Sequence, residues 1–435
     1  MKAVENKSKN TKEQVITGVF FGTLALIILW IYWITQHNVI GSGILAGIFA
    51  VAIIIHIFNA QTEGYIKSCF ARSDVFKSRS RYYDILRLIA CLGVIETHAI
   101  QLALSEKLIE NKVAVFIYTW LYVICLVCNP IYVALSGGLL LEWKNESIGK
   151  FYIKRFIKVI IPLAVYFIFY LCMYKSLPVN IWEAFKLILI KLVSGNTPEA
   201  PHFWLIYAIL SIYVVVPFFR YLFKHMPYKI LSAFALVILF FMTLDVFLPL
   251  VYAPIAINTF MSGWIGVAVL GYWITRPESR KYDFRIIIAG GISAVFIAFC
   301  IYQNWDFKEI CCNTSPVMVL LTGGIFAVIL RNSQKEMKKA GPILSLLSKY
   351  SYGIILIHWW ILRNIKNGFC GIDITSWGYV GGTVVTLICA LVMSLFMAFI
   401  LDNLCVIVVE KGAVNVINCL TNIVTKWQHK IRGVS

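Results

Sequence analysis

Residues 82–98 read Tyr82-Tyr83-Asp84-Ile85-Leu86-Arg87-Leu88-Ile89-Ala90-Cys91-Leu92-Gly93-Val94-Ile95-Glu96-Thr97-His98. The stretch is an apolar helix interrupted by ionisable groups. An Arg or Asp at the centre of a membrane helix costs about 2.5–3.5 kcal/mol on insertion scales, so such groups need protein or a water-lined cavity to face. Arg87 and His98 stand eleven positions apart, which at 100° per residue is about 20° beyond three turns and about 16 Å along the axis. They share one side of the helix with Asp84, Cys91 and Val94, and Asp84 is three positions from Arg87, close enough to pair with it. That side must therefore point into a helix bundle. Taken singly, Arg87 also reads as a snorkelling interfacial arginine, and His98 as a hydrogen-bonded histidine inside the bundle.

The rest of the chain supplies the bundle. Of 435 residues, 60% are hydrophobic and 14% charged, with a mean hydropathy of +0.80, whereas soluble domains carry about 25% charged residues. Apolar runs long enough to span a bilayer start at Val15–Thr35 and Val39–Ala60 and continue as spans centred near Cys91, Ile124, Tyr166, Ile212, Leu239, Ile265, Ala294, Gly323, Ile357 and Cys389. The expected fold is all-α, a polytopic transmembrane bundle of about twelve helices with both termini cytoplasmic. Residues 1–82 form a hairpin and basic loop, 83–402 a core of about ten spans, and 403–435 an amphipathic basic tail.

The formal net charge of +18 would suggest nucleic acid in a soluble protein, but its distribution excludes that partner. Threaded with both ends inside, the chain places thirty Lys and Arg on cytoplasmic segments and eight on outer loops, the asymmetry that orients membrane proteins. Ile181–Leu192, with Lys186 and Lys191 among apolar residues, reads as a helix lying on the outer surface. Cys311, Cys312 and Cys370 fall in outer loops, where a disulfide among them is compatible with the topology. Metal-ligand spacing, a phosphate-cradling glycine loop and a serine-nucleophile elbow are all missing from the sequence.

A cationic side chain near the cytoplasmic end and an imidazole deeper on the same wall describe a path for an anionic substrate. Imidazole, with a pKa near 6.5, is the natural general base at neutral pH. The Arg-x10-His pattern with Asp84 upstream resembles the first core helix of the acyltransferase 3 family, membrane-bound enzymes that O-acylate bacterial surface polysaccharides and peptidoglycan. Leu135-Ser136-Gly137-Gly138-Leu139-Leu140 is similar to the family's Ser-Gly-aromatic-Leu-Leu, with Gly138 where the aromatic usually stands. Lys154-Arg155-Phe156-Ile157-Lys158 followed by Pro162 resembles its Arg-x-x-Arg stretch, with Lys158 at the second arginine. His202-Phe203-Trp204-Leu205-Ile206-Tyr207 and Ser351-Tyr352-Gly353-Ile354-Ile355-Leu356-Ile357-His358 complete the resemblance, which runs from about Tyr83 to Asp402.

The resemblance implies a multi-pass protein of the bacterial cell membrane. It implies acyl-CoA, usually acetyl-CoA, as a cytoplasmic donor substrate, no permanently bound cofactor, and a glycan or lipid-linked sugar hydroxyl as acceptor. Arg87, Arg155 and Lys158 are expected to hold the CoA phosphates. His98 is expected to act as base or transient acyl carrier, with His358 in a supporting polar or oxyanion role. Asp84, Trp204 and Tyr207 are expected near the substrates, although Trp204, Tyr207 and Asp245 also suit an interfacial aromatic belt. Glu96 lies about 200° around the helix from His98, which argues against a direct pairing. A transporter or flippase of a glycolipid or small anion is the alternative, since intramembrane Arg and His also mark such pathways. A small-amino-acid sensor is a weaker one, because the chain carries no fused soluble domain.

Overall fold

The computed structural model describes residues 22, 81–105, 109–249, 261–332, 342–366 and 378–432. The expected helices at Val15–Thr35 and Val39–Ala60, and most of the basic loop after them, lie outside the described residues. The elements in chain order are α1 (Arg81–Ser105), α2 (Lys112–Cys125), α3 (Cys128–Leu140), α4 (Ile148–Arg155), α5 (Ile161–Met173), α6 (Ile181–Ser194) and α7 (Trp204–Phe223). They continue as α8 (Tyr228–Phe247), α9 (Trp264–Thr275), α10 (Asp283–Tyr302), α11 (Pro316–Asn332), α12 (Pro342–Lys366), α13 (Gly378–Leu401) and α14 (Ile407–Arg432). No strand occurs among the described residues.

All ten expected span centres from Cys91 to Cys389 fall inside these helices. Among the described residues, seven helical stretches are long and apolar enough to cross a membrane. The other three centres lie in α9, which has 12 residues, in α11 with 17, and in α12, which has 25 but is interrupted by Ser345, Ser348, Ser351 and His358. The composition of α12 follows from its position. Ile354, Leu356, Ile357 and His358 are fully buried in protein, so its polar groups meet partners rather than lipid.

By packing, the chain divides into two compact units, residues 72–148 with 202–395, and residues 1–71 with 149–201 and 396–435. In the first, α1 packs against α2, α3, α11 and α12. On the periphery, α8 and α10 have only 22% of their apolar windows inside protein, against 72% across residues 112–140. Phe284, Ile288, Ile292, Val295 and Phe299 stand three or four residues apart and are all exposed. A continuous apolar stripe of this kind suits hydrocarbon and not water.

Close helix approach is bought with small residues, as in membrane bundles generally. A Cβ at Gly137 of α3 would stand 1.8 Å from the Ala268 carbonyl oxygen of α9, and one at Gly271 would stand 2.2 Å from that of Ala134. At Gly138 the same addition meets the Thr275 side chain at 2.7 Å. Thr275 thus occupies the space that an aromatic at position 138 would need.

In the second unit, α4 runs into α5 through a π turn at Phe156–Ile160, and α13 continues into α14 through another at Asp402–Val406. The segment after Asp402, expected as a separate tail, is thus a helical continuation of α13. Tyr166 of α5 donates to Asp402 at 2.8 Å. The helix expected at Ile181–Leu192 is α6, started by the Asn180 side chain accepting from the Trp182 and Glu183 amides and ended by Gly195 at φ 69°. Trp182, Phe185, Leu189 and Val193 form an exposed apolar stripe on it, as an interfacial helix requires. Cys311 and Cys312 carry free thiols, and Cys370 lies outside the described residues.

Two outcomes follow. Gly137→Leu should destabilise the protein by more than the ~1–3 kcal/mol of ordinary overpacking, while Gly412→Ala, inside α14 with nothing within 4 Å, should raise the temperature of thermal unfolding in detergent slightly. Glu199 pairs with Lys191. Burial raises its carboxyl pKa, but the Lys191 hydrogen bond and charge outweigh burial and hold it below the ordinary value. The pair's contribution is therefore complete above the ordinary carboxylate pKa and lost as pH falls through the depressed one. Thermal melts across the acid range should show a shallower pH dependence in Glu199→Gln than in the wild type.

Candidate functional site

The polar side of α1 is covered by α12, and the contacts lie at two levels. At the first, Arg87 Nη1 donates to Ser348 Oγ at 3.1 Å, and Ser348 Oγ donates to Asp84 Oδ1 at 2.8 Å. Arg87 and Asp84 themselves approach to 3.7 Å, with Asp84 fully buried and the Arg87 side chain 14% exposed. The pairing expected between them is present, and Ser348 completes it as a hydroxyl bridge. A buried carboxylate is tolerable only when paired and hydrogen-bonded. The Tyr132 hydroxyl donates to the Arg87 carbonyl at 3.4 Å.

At the second level His98 lies on His358, ring centroids 5.2 Å apart and 28° from coplanar. Arg87 meets Ser348 and His98 meets His358 in the same chain order, so α1 and α12 run parallel. Trp359 meets His98 edge-on at 5.1 Å and 72°. From the 3-10 turn Pro201–Phe203 ahead of α7, His202 reaches His358 at 4.8 Å and 75°. The arrangement is three imidazoles and an indole, with His358 fully buried and His202 nearly so.

The hydrogen bonds fix the tautomers. His98 Nδ1 donates to Gln101 Oε1 at 3.2 Å and His358 Nδ1 donates to the Ile355 carbonyl at 2.7 Å. As neutral rings, both then carry their lone pair on Nε2. The buried Nε2 of His358 has no hydrogen-bond partner among the described residues. A neutral His358 therefore offers an acceptor there, and it would donate to an oxyanion only as the imidazolium. His202 holds the other tautomer, its Nε2 donating to the Leu356 carbonyl at 3.1 Å.

Of the residues expected at the site, the structure brings Asp84, Arg87, His98 and His358 onto this one seam. Trp204 is turned away, 43% exposed with its ring against Trp264 at 5.8 Å. Tyr207 is half-buried one turn further along α7. Asp245 accepts from Ser262. In the other unit, Arg155 lies over the Phe151 ring at 5.2 Å, and Lys158, 66% exposed, forms an ion pair with Glu410. Glu96 does not meet His98; its Oε2 is buried with no hydrogen-bond partner among the described residues.

Ser348, Trp359, Gln101 and His202 were not singled out from sequence. One signal was available for Ser348. It stands ten residues before His358, nearly the Arg87–His98 spacing, so two parallel helices can match both levels at once.

A family model for an acyltransferase domain matches residues 80–395. The chain belongs to the acyltransferase 3 family. No curated protein and no solved structure matches the chain. The acyltransferase 3 match takes in both levels of the α1–α12 seam, so the family's region and the polar seam coincide. Together with the apolar helices, membership makes this a multi-pass membrane acyltransferase.

Ser348→Ala removes the bridge between a carboxylate and a guanidinium. It should lower stability by about 1–3 kcal/mol, read as a fall in the melting temperature in detergent, and Ser348→Thr should restore most of the loss.

Proposed function

We propose that this protein is an O-acyltransferase of the bacterial cell membrane. It moves an acyl group, in the simplest case acetyl, from cytoplasmic acyl-CoA to a hydroxyl of a cell-surface polysaccharide or its lipid-linked precursor. The observation that carries the reading is the two-level seam, with a compensated cation at one end of α1 and a cluster of imidazoles about 16 Å further along it. In the proposed topology about twelve helices leave both termini in the cytoplasm. The parallel α1 and α12 both run outward in that topology, which supports it. The two N-terminal helices precede the 83–402 core, and the amphipathic basic tail continues α13 on the cytoplasmic side.

Arg87, Arg155 and Lys158 are proposed as the cations that receive the donor's phosphates by charge-assisted hydrogen bonds. Asp84 holds Arg87 in place through Ser348. The thioester then lies towards His98 Nε2, where two routes balance. In one, Nε2 takes the proton of the acceptor hydroxyl, the oxygen attacks the thioester carbonyl, the C–S bond breaks and the thiolate of CoA recovers the proton. In the other, Nε2 attacks the thioester carbonyl and the C–S bond breaks to release the CoA thiolate; the acceptor hydroxyl then displaces the acyl group from Nε2 and its proton passes to the thiolate. Gln101 orients the ring in both. His358 supports His98 as a polar neighbour, and Trp204 and Tyr207 remain candidates for contact with the acceptor.

The test uses inner-membrane vesicles with radiolabelled acetyl-CoA on the cytoplasmic side and the host's surface glycan as acceptor. Label should enter glycan with the wild type and fall by at least about 10²-fold with His98→Ala, the lower range of general acid–base effects. Arg87→Ala should chiefly raise the KM for the donor. Equal labelling by wild type and His98→Ala would remove His98 from the mechanism. Movement of a glycolipid across the bilayer without consumption of acetyl-CoA would favour a flippase.

A further inference from the structure

A second polar feature lies away from the histidines. Glu110, Lys112, Val115, Phe116, Thr119, Ile301, Asn304 and Trp305 line a cavity of about 440 Å³, within the range of about 300–1,000 Å³ typical of small-molecule sites. It sits between the start of α2 and the end of α10, at the opposite end of α10 from Arg280 and Arg285.

Its walls are built rather than incidental. The Asn111 side chain caps α2 by accepting from the Val113 and Ala114 amides, which fixes Glu110 and Lys112 on either side of it. At the other wall α10 ends with Asn304 at φ 54°, a left-handed conformation that asparagine tolerates better than most residues. The amides of Asn304 and Trp305 bond back to the Ile301 and Cys300 carbonyls at 3.2 and 3.0 Å, closing the helix with a Schellman-type cap. Edge-to-face contacts with Phe296 and Phe299, at 6.5 and 5.4 Å, orient the Trp305 indole, which stays 47% exposed.

We propose that this cavity binds a neutral pyranose unit of the acceptor glycan, one not itself acylated. The inference rests on the outer-facing glycan acceptor proposed above. One carboxylate and one ammonium give the lining no net charge, so an anionic headgroup gains nothing from Lys112 that Glu110 does not oppose. The Asn304 amide, Glu110 and Lys112 supply both donors and acceptors for sugar hydroxyls. The Thr119 hydroxyl spends its proton on the Val115 carbonyl at 2.7 Å and is left as an acceptor. A pyranose ring adds what this set needs, an apolar face of axial C–H bonds that lies against the negative face of an indole. Binding a remote unit lets a polymer contribute positioning energy at the reacting hydroxyl.

The experiment is saturation-transfer NMR on the full-length protein in lipid nanodiscs. Fragments of the host's surface glycan are the main probe, with chitotriose and maltotriose as defined ones. Saturation should concentrate on one face of one ring and fall about fivefold or more in Trp305→Ala. Asn304→Gly keeps the left-handed cap while removing the amide, and should weaken binding with the melting temperature unchanged. Trp182→Ala, at an exposed tryptophan on α6, should have no effect. In the transfer assay, Trp305→Ala should raise the KM for polymer with kcat preserved. Failure of the wild type to bind any probe, or binding that survives both cavity variants, overturns the subsite. Saccharide binding that depends on Trp305 in a protein that never consumes acyl-CoA would leave the subsite standing and remove the acyltransferase reading beneath it.

Discussion

The expense of placing Arg87 and Asp84 in a membrane helix governs the arrangement of the first unit. Neither group can face lipid, and their mutual attraction does not satisfy every donor and acceptor they carry. Ser348 supplies the missing partner for both, and it stands on α12. That requirement selects which helix covers the polar side of α1 and fixes the register between them. With the register fixed at Ser348, the next polar level falls at His358, and His98 meets it. The ion pair thus determines which imidazole of α12 meets His98.

Packing elsewhere serves the same seam. The glycines of α3 and α9 bring two backbones into contact, and α3 in turn packs on α1 and places the Tyr132 hydroxyl at the Arg87 carbonyl. Gly138, the departure from the family's aromatic position, follows from the same closeness, because Thr275 occupies the volume. A larger residue at 138 would require a smaller one at 275.

The bundle was legible because hydropathy and the distribution of charge are properties of each segment alone. Period 3.6 also resolved the polar face of α1, since Arg87 and His98 lie on one helix. What remained hidden depends on which helices are neighbours. Ser348 and Trp359 are more than 250 residues from their partners on α1, and no local period reports such pairing. His202 was visible in a motif, but Trp204 was preferred as an aromatic at the outer end, where a sugar could bind. Two residues apart on a helical turn face nearly opposite ways, so turning His202 inward points Trp204 out.

The seam also bears on which donors the proposed mechanism can use. A ligand anchored by charge at Arg87 and reacting at His98 must carry its anionic head and its reactive carbonyl on the order of 16 Å apart. A short acyl phosphate or a free carboxylate reaches one level or the other, and gains binding energy without bringing a carbonyl to the imidazole. Such uniform binding does not accelerate transfer. A donor with a long flexible arm engages both levels at once, and the charged end then contributes to orientation at the reacting end. In the proposed mechanism, selection of the donor thus follows from the eleven-residue spacing of Arg87 and His98 along α1, and the Asp84–Arg87–Ser348 contacts fix the register at which α12 covers it.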